Sequence, residues 1–122
     1  MISGRIVLAA IALACLLPAP ALAGDAAAGK STFEMNCASC HGNGGKGDGP
    51  VGLALDPKPR DFTTGEFKFD TDGDGSPGND ADLQAVITQG AMKFGGSPLM
   101  APWPTLSDQV PDLIAFIRSL KE

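Results

Sequence analysis

Apolar residues recur at helical spacing in three segments of the chain, which predict helices over Asp25–Asn36, Asp80–Gln89 and Ser107–Lys121. The boundaries carry residues that often start or end a helix: Asp25, Asn79 or Asp80, Gly90, and Ser107 or Asp108. The one strand signal is the short stretch Phe62–Phe69. The pattern therefore predicts a small all-α domain with three or more short helices.

Two long segments between these helices, Gly42–Asp61 and Gly90–Thr105, are rich in glycine and proline. Loops of this length without secondary structure of their own are unusual in a compact domain unless they wrap something functional. A chain this small also has little core of its own and often recruits a cofactor or metal. A buried flat cofactor would give the loops a surface on which to pack.

The N-terminus has the layout of a secretory signal peptide. Arg5 precedes the apolar run Ile6–Leu17, prolines follow, and Ala21 and Ala23 supply small residues for cleavage. We predict a cleaved leader at 1–23, a single domain at 24–122 and a periplasmic location. The apolar run is too short to span a bilayer comfortably, so no stable membrane insertion is expected after cleavage.

The charge balance of the chain argues against nucleic acids and anionic membrane surfaces as partners. The chain has 9 Lys and Arg against 14 Asp and Glu, a formal net charge of −5, and loss of Arg5 with the leader makes it more acidic. Nucleic acids and anionic membrane surfaces select basic patches, so neither is an expected partner.

The sequence Cys37-Ala38-Ser39-Cys40-His41 is a C-x-x-C-H motif, the attachment sequence of haem c. Cys37 and Cys40 are one helical turn apart and can both bond to one haem, while His41 is placed to bind its iron. A zinc site lacks enough ligands, because His41 is the single histidine. An exported thiol–disulfide site without haem is the remaining alternative.

Ligation of the iron by two histidines of this chain is excluded, because no second histidine exists, which leaves a methionine, an open position or a weaker donor. Met35 is next to the motif and belongs on the same side as His41. Met100 lies among prolines that stiffen its loop, whereas Met92 lies in a more flexible, glycine-containing context. The sequence favours Met100, with Met92 as runner-up and an open sixth position as the alternative.

Five pieces of the chain resemble a class I cytochrome c of the bacterial single-haem type. They are AGKSTFEMNCASCHG, GDGP, PKPRDFTTGEFKF, LMAPWPTLSD and DLIAFIRSL, spread over nearly all of the predicted mature chain. The resemblance implies a cytochrome c-like fold in which the first and last helices cross, with Gly29 and Phe33 meeting Leu113 and Phe116. It also implies that the Pro50 carbonyl orients His41, and that Arg60 and Trp103 contact the haem propionates.

The acidic stretch Asp70-Thr71-Asp72-Gly73-Asp74-Gly75 matches the start of a calcium-binding loop. The bidentate glutamate needed at the twelfth position is missing, since Ala81 stands there, and Asp80 or Asp82 could replace it only with changed geometry. A solvated acidic turn is the favoured interpretation, and calcium is not an expected cofactor.

The resemblance implies a function as a periplasmic electron carrier with one covalent haem c, rather than an enzyme. Its partners would be redox proteins that dock transiently. A haem subunit of a larger periplasmic oxidoreductase is an alternative, as is a haem with an open sixth site for ligand binding or catalysis.

Overall fold

The computed structural model describes residues 24–122, and the predicted leader at 1–23 lies outside the described residues. The described chain has the α-helices α1 (Ala26–Asn36), α2 (Ala38–His41), α3 (Asp80–Gln89) and α4 (Val110–Ser119). Segments of 3-10 helix lie at Gly52–Ala54, Phe62–Thr64, Met92–Phe94 and Pro104–Gln109. No strand occurs between residues 24 and 122, so the all-α class is confirmed. Of the helices in this range, none has the length and apolar character to cross a membrane.

The predicted starts of the first two long helices are confirmed. The Asp25 carboxylate caps α1 by accepting from two amides of its first turn, at 2.9 and 3.2 Å. Asn79 caps α3 by accepting from the Asp82 amide at 2.9 Å, and Asp82 in return accepts from the Asn79 amide at 3.1 Å. This reciprocal pair satisfies two amides that the helix itself leaves without acceptors. Gly90 ends α3 with φ of 81°, a conformation that favours glycine.

The predicted bounds of the last helix are wrong. The segment Pro104–Gln109 is 3-10 helix, and α4 begins only at Val110 and ends at Ser119. Ser107 and Asp108 therefore lie inside the 3-10 segment and do not cap α4. Pro111 lies in the first turn of α4, where the amide hydrogen that proline lacks has no acceptor in the helix.

The strand signal at Phe62–Phe69 is also wrong. The Asp61 carboxylate accepts from the Thr63 amide at 2.9 Å and from its hydroxyl at 2.6 Å, which starts a 3-10 turn at Phe62. Gly65 ends that turn with φ of 68°, in the left-handed region. An aspartate cap and a left-handed glycine bend the chain within four residues, which a strand cannot accommodate.

The core forms where α1 crosses α4, as the resemblance implied. A Cβ atom at Gly29 would overlap the carbonyl oxygen of Asp112, so the two helix backbones touch at this glycine. Phe33 and Leu113 are almost fully buried beside the contact. The rings of Phe33 and Phe116 lie 5.1 Å apart between their centroids, a normal separation for a packed aromatic pair. The crossing therefore provides the rigid base from which the C-x-x-C-H motif extends.

Candidate haem-binding site

The C-x-x-C-H motif begins at the end of α1 and fills α2. The Cys37 amide donates to the Phe33 carbonyl of α1 at 2.8 Å. The His41 amide donates to the Cys37 carbonyl at 2.9 Å, so one helical turn spans the motif. Residues three and four apart lie on one face of a helix, which brings Cys37, Cys40 and His41 together on a single face.

Both cysteines of the motif are free, half-buried thiols. Burial and, to a smaller extent, the neighbouring Cys40 raise the pKa of Cys37 to about 11. Thiol–disulfide enzymes use the opposite arrangement, a lowered pKa that makes the thiolate available near neutral pH. Cys37 therefore lacks the activated thiolate that a reactive dithiol needs.

The imidazole of His41 has the properties of a metal ligand. Its Nδ1 atom is buried, and no group within residues 24–122 hydrogen-bonds to it. Burial lowers the pKa of His41, an effect that the backbone of Arg60 opposes in part. The side chain is therefore neutral at pH 7, which is the form that binds metals. A buried polar atom without a hydrogen-bond partner is unfavourable. Such an environment is understandable if the imidazole of His41 binds a metal.

The loop that follows the motif, Gly42–Val51, folds back onto α2 and binds its last carbonyl groups. Its amides donate as follows: Gly47 to His41 at 2.8 Å, Gly49 to Cys40 at 3.2 Å and Val51 to Ser39 at 2.9 Å. A Cβ atom at Gly49 would overlap carbonyl oxygens of α2, so the close approach requires glycine. Pro50 is exposed beside this contact, and its role as acceptor for His41 stays a prediction.

The two candidate methionines lie in different environments. The side chain of Met92 is 66% exposed, whereas Met100 is half-buried. The Met100 carbonyl accepts from the Ala91 amide at 3.1 Å, and the Met100 amide donates to the Ser97 carbonyl at 3.2 Å. These bonds fasten the Met100 loop to the end of α3. They favour Met100 over Met92, and the ligand assignment itself stays a prediction.

Arg60 and Trp103 have different neighbours. Arg60 is exposed, and its Nε donates to the Glu66 carbonyl at 2.9 Å. Trp103 is half-buried against the core, and its amide donates to the Ile87 carbonyl at 2.9 Å. Neither contact concerns haem, so both propionate assignments stay predictions.

The acidic turn brings together the carboxylates predicted from the sequence. Oxygen atoms of Asp70, Asp72 and Asp74 lie within 4.8 Å of one another, and all three residues form hydrogen bonds inside the turn. The Asn79 side-chain amide donates to Asp72 at 3.1 Å and to Asp74 at 3.0 Å. Asp82 instead uses its carboxylate to bind Thr71, Gly78 and Asn79. Asp82 therefore stabilises the backbone of the turn and is not part of the carboxylate cluster of Asp70, Asp72 and Asp74.

Sequence reasoning missed the contact between Phe62 and His41. The two rings stack, with centroids 4.8 Å apart and an interplanar angle of 19°. The signal that could have found it is Asp61-Phe62-Thr63-Thr64-Gly65, an aspartate-capped turn closed by glycine. The phenylalanines of this stretch give instead a short strand signal, and a strand places alternate side chains on opposite faces.

Comparison with known proteins identifies the family. The Cytochrome c family model matches residues 26–121. The chain is 39% identical over 101 residues to cytochrome c-554(547) of Halothiobacillus neapolitanus, covering 81% of this chain and 100% of the relative. A shorter match, 64% identical over 28 residues, relates it to cytochrome c6 of Rippkaea orientalis (strain PCC 8801 / RF-1), covering 23% of this chain and 25% of that one.

A solved structure shares the fold. It belongs to the Kuenenia stuttgartiensis reducing HAO-like protein complex Kustc0457/Kustc0458, with a TM-score of 0.67 and 34% identity. The match covers 83% of this chain and 44% of the solved chain, so this chain spans less than half the length of that relative. The cytochrome c-like fold is confirmed.

The chain therefore belongs to the cytochrome c family, whose members transfer electrons through covalently bound haem c. The described residues fit that cofactor, because the helical turn Cys37–His41 presents two free thiols and a neutral imidazole on one face. Cys37 and Cys40 would hold the haem, and His41 would bind its iron.

Proposed function

We propose that this chain is an exported carrier of single electrons, with haem c attached at Cys37 and Cys40 and its iron bound by His41 and Met100. The observation that carries the proposal is the neutral, partly buried imidazole of His41, with an unpartnered Nδ1, on the same helical turn as both thiols. We propose a periplasmic location from the leader pattern at 1–23.

The contribution of the protein is to hold ligands and exclude water. When bound, haem supplies an iron that gains and loses one electron. As a ligand, the thioether of Met100 would favour the reduced iron and so would raise the reduction potential. Backbone bonds to Ala91 and Ser97 hold the Met100 loop, which keeps that ligand in place in both oxidation states. This function requires no side chain to act as a nucleophile, acid or base.

The net charge of the chain bears on the kind of redox protein with which it would dock. The net charge of −5 favours redox proteins with basic docking surfaces. Electron carriers must release each partner quickly, and weak redox complexes bury little surface. We propose transient docking rather than a permanent assembly.

A second candidate is a haem subunit or haem domain of a larger periplasmic oxidoreductase. The likeness of this chain to a solved chain more than twice as long favours this candidate. That solved chain belongs to a complex whose name includes "reducing HAO-like". Size-exclusion chromatography of the native protein, purified without a tag from its source, separates the two candidates. A free carrier elutes at the size of the single chain, whereas a subunit elutes in a larger complex of defined composition.

Paired methionine substitutions test the ligand set. In the full chain matured with haem, wild type should give a low-spin spectrum with a weak far-red ferric band from a methionine–iron bond. Met100→Ala should lose that band, and Met92→Ala should keep it. Loss of the band in Met92→Ala alone would assign Met92 instead. A high-spin wild-type spectrum would point to an open sixth site for ligand binding or catalysis.

A further inference from the structure

The ring of Phe62 lies nearly parallel to the imidazole of His41. The 4.8 Å centroid separation and 19° interplanar angle correspond to a stacked pair. Phe33 approaches the same imidazole at a steeper angle, with centroids 6.2 Å apart and planes inclined by 47°. Phe62 therefore covers a face of the imidazole, whereas Phe33 borders it at a tilt.

Phe62 is itself held firmly. Its side chain is buried, and its amide donates to the Gly45 carbonyl at 2.8 Å. The 3-10 turn that carries it is capped by Asp61 and closed by Gly65. A Cβ atom at Gly45 would lie only 3.4 Å from the Phe62 ring, so the loop after the motif packs directly on that ring. The phenylalanine is thus fixed by its backbone before it contacts His41.

Packing is a main restraint on the imidazole in the described residues, beside the backbone of Arg60. Nδ1 has no hydrogen-bond partner there, so rotation of the ring about its bond to Cβ is opposed by the rings that touch it. Such rotation would drive the edge of the imidazole into the face of Phe62. The groups around a metal-bound histidine, usually hydrogen-bond partners of its other nitrogen, commonly set its orientation.

We propose that Phe62 is a positioning residue that sets the plane of the His41 imidazole at the haem iron. The proposal rests on the ligation of iron by His41 proposed above. The orientation of the axial imidazole, together with that of the other axial ligand, sets which iron orbital holds the unpaired electron of the ferric state. A change in the imidazole plane would therefore change how electron spin is distributed over the haem periphery, which magnetic resonance measures directly.

The test compares Phe62→Leu and Phe62→Met with Phe62→Tyr in the haem-loaded full chain. Leucine and methionine keep an apolar side chain without the flat face, whereas tyrosine keeps that face. Phe67→Leu is the matched control, because the Phe67 ring packs on Phe62 with centroids 6.1 Å apart and forms no ring pair with His41 among residues 24–122. Circular dichroism of each variant verifies the fold.

Proton magnetic resonance of the ferric protein gives the readout. We expect the spread of the haem methyl shifts to narrow in Phe62→Leu and Phe62→Met, because the imidazole samples several orientations. Phe62→Tyr and Phe67→Leu should keep the wild-type spread. An unchanged spread in both apolar variants, or an equal narrowing in Phe67→Leu, would overturn the proposal. Failure of the proposed ligation is seen separately, as a wild-type spectrum without low-spin, histidine-bound iron.

Discussion

Gly29 lies directly against the backbone of Asp112. A Cβ atom on Gly29 would overlap the Asp112 carbonyl oxygen and lie 3.0 Å from the Leu113 amide nitrogen. Both of these atoms belong to the backbone of α4 and cannot move aside as a flexible side chain would. The distance between α1 and α4 is therefore set by the absence of a side chain at one position.

Substitution of Gly29 tests this contact. Gly29→Ala should lower the free energy of unfolding by about 2 kcal/mol, because the crossing helices must separate to admit the methyl group. The matched control is Ser31→Ala, at an exposed position of the same helix, with an expected change within about 0.5 kcal/mol. Urea unfolding followed by circular dichroism measures both variants. Equal stability of the two would contradict the backbone contact.

Asp82 should make stability depend on acid pH. Burial of Asp82 raises its pKa, but hydrogen bonds from Thr71, Asn79 and Gly78 outweigh burial, and the pKa lies below its ordinary value of 3.8. The folded state therefore favours the ionised carboxylate. The resulting stability is complete above pH 3.8 and is lost as the pH falls through the lower pKa of the folded state.

The variant Asp82→Asn measures that contribution. It should be less stable than wild type at pH 7, because the amide replaces a carboxylate that accepts four hydrogen bonds. The difference should shrink as the pH is lowered, since wild type then loses its ionised carboxylate. Asp108→Asn, at an exposed position, is the control and should follow wild type at every pH. A difference between Asp82→Asn and wild type that stays constant with pH would refute the argument.

The acidic turn should not bind calcium strongly. Asn79 donates to two of its carboxylates, Asp82 is engaged elsewhere, and Ala81 stands at the position of the bidentate ligand. Titration calorimetry with millimolar calcium chloride should therefore show no saturable heat. A saturable heat that disappears in Asp72→Asn would show instead that the turn is a cation site.

The mature protein should begin at Gly24. Small residues at Ala21 and Ala23 match the positions that a signal peptidase reads. Mass spectrometry of exported protein should give the mass of residues 24–122 plus haem. Ala23→Arg should block cleavage, whereas Ala9→Leu, early in the apolar run, should leave it unchanged. A wild-type mass that retains the leader would contradict the predicted boundary.

The sequence predicted the parts of the fold that depend on local chemistry. Helix α3 illustrates this, because its cap Asn79 and its terminal Gly90 lie at the ends of the segment itself, although the capping box with Asp82 was not predicted. The motif likewise needs only one helical turn to bring Cys37 and His41 to one face. The helix crossing came from family resemblance, because no spacing in the sequence reveals that Gly29 faces Asp112.

The errors fell where contacts distant in sequence or tight turns decide the structure. Over a few residues, apolar side chains have nearly the same spacing in a 3-10 helix as in an α-helix. The apolar periodicity before α4 therefore could not distinguish these two kinds of helix. The stacking of Phe62 on His41 joins residues far apart in the chain and depends on the turn after Asp61. The sequence contained the signal for that turn, but its apolar residues favoured a strand.

The most direct test of the account is whether haem stays attached after the protein is unfolded. The full chain is produced with haem c maturation, denatured in acid and analysed by mass spectrometry and by its reduced pyridine spectrum. We predict one haem per chain, retained through thioethers, with loss of covalent haem in the double variant Cys37→Ala/Cys40→Ala. Haem that separates on denaturation of wild type, or a chain that never acquires haem, would contradict the assignment of Cys37, Cys40 and His41.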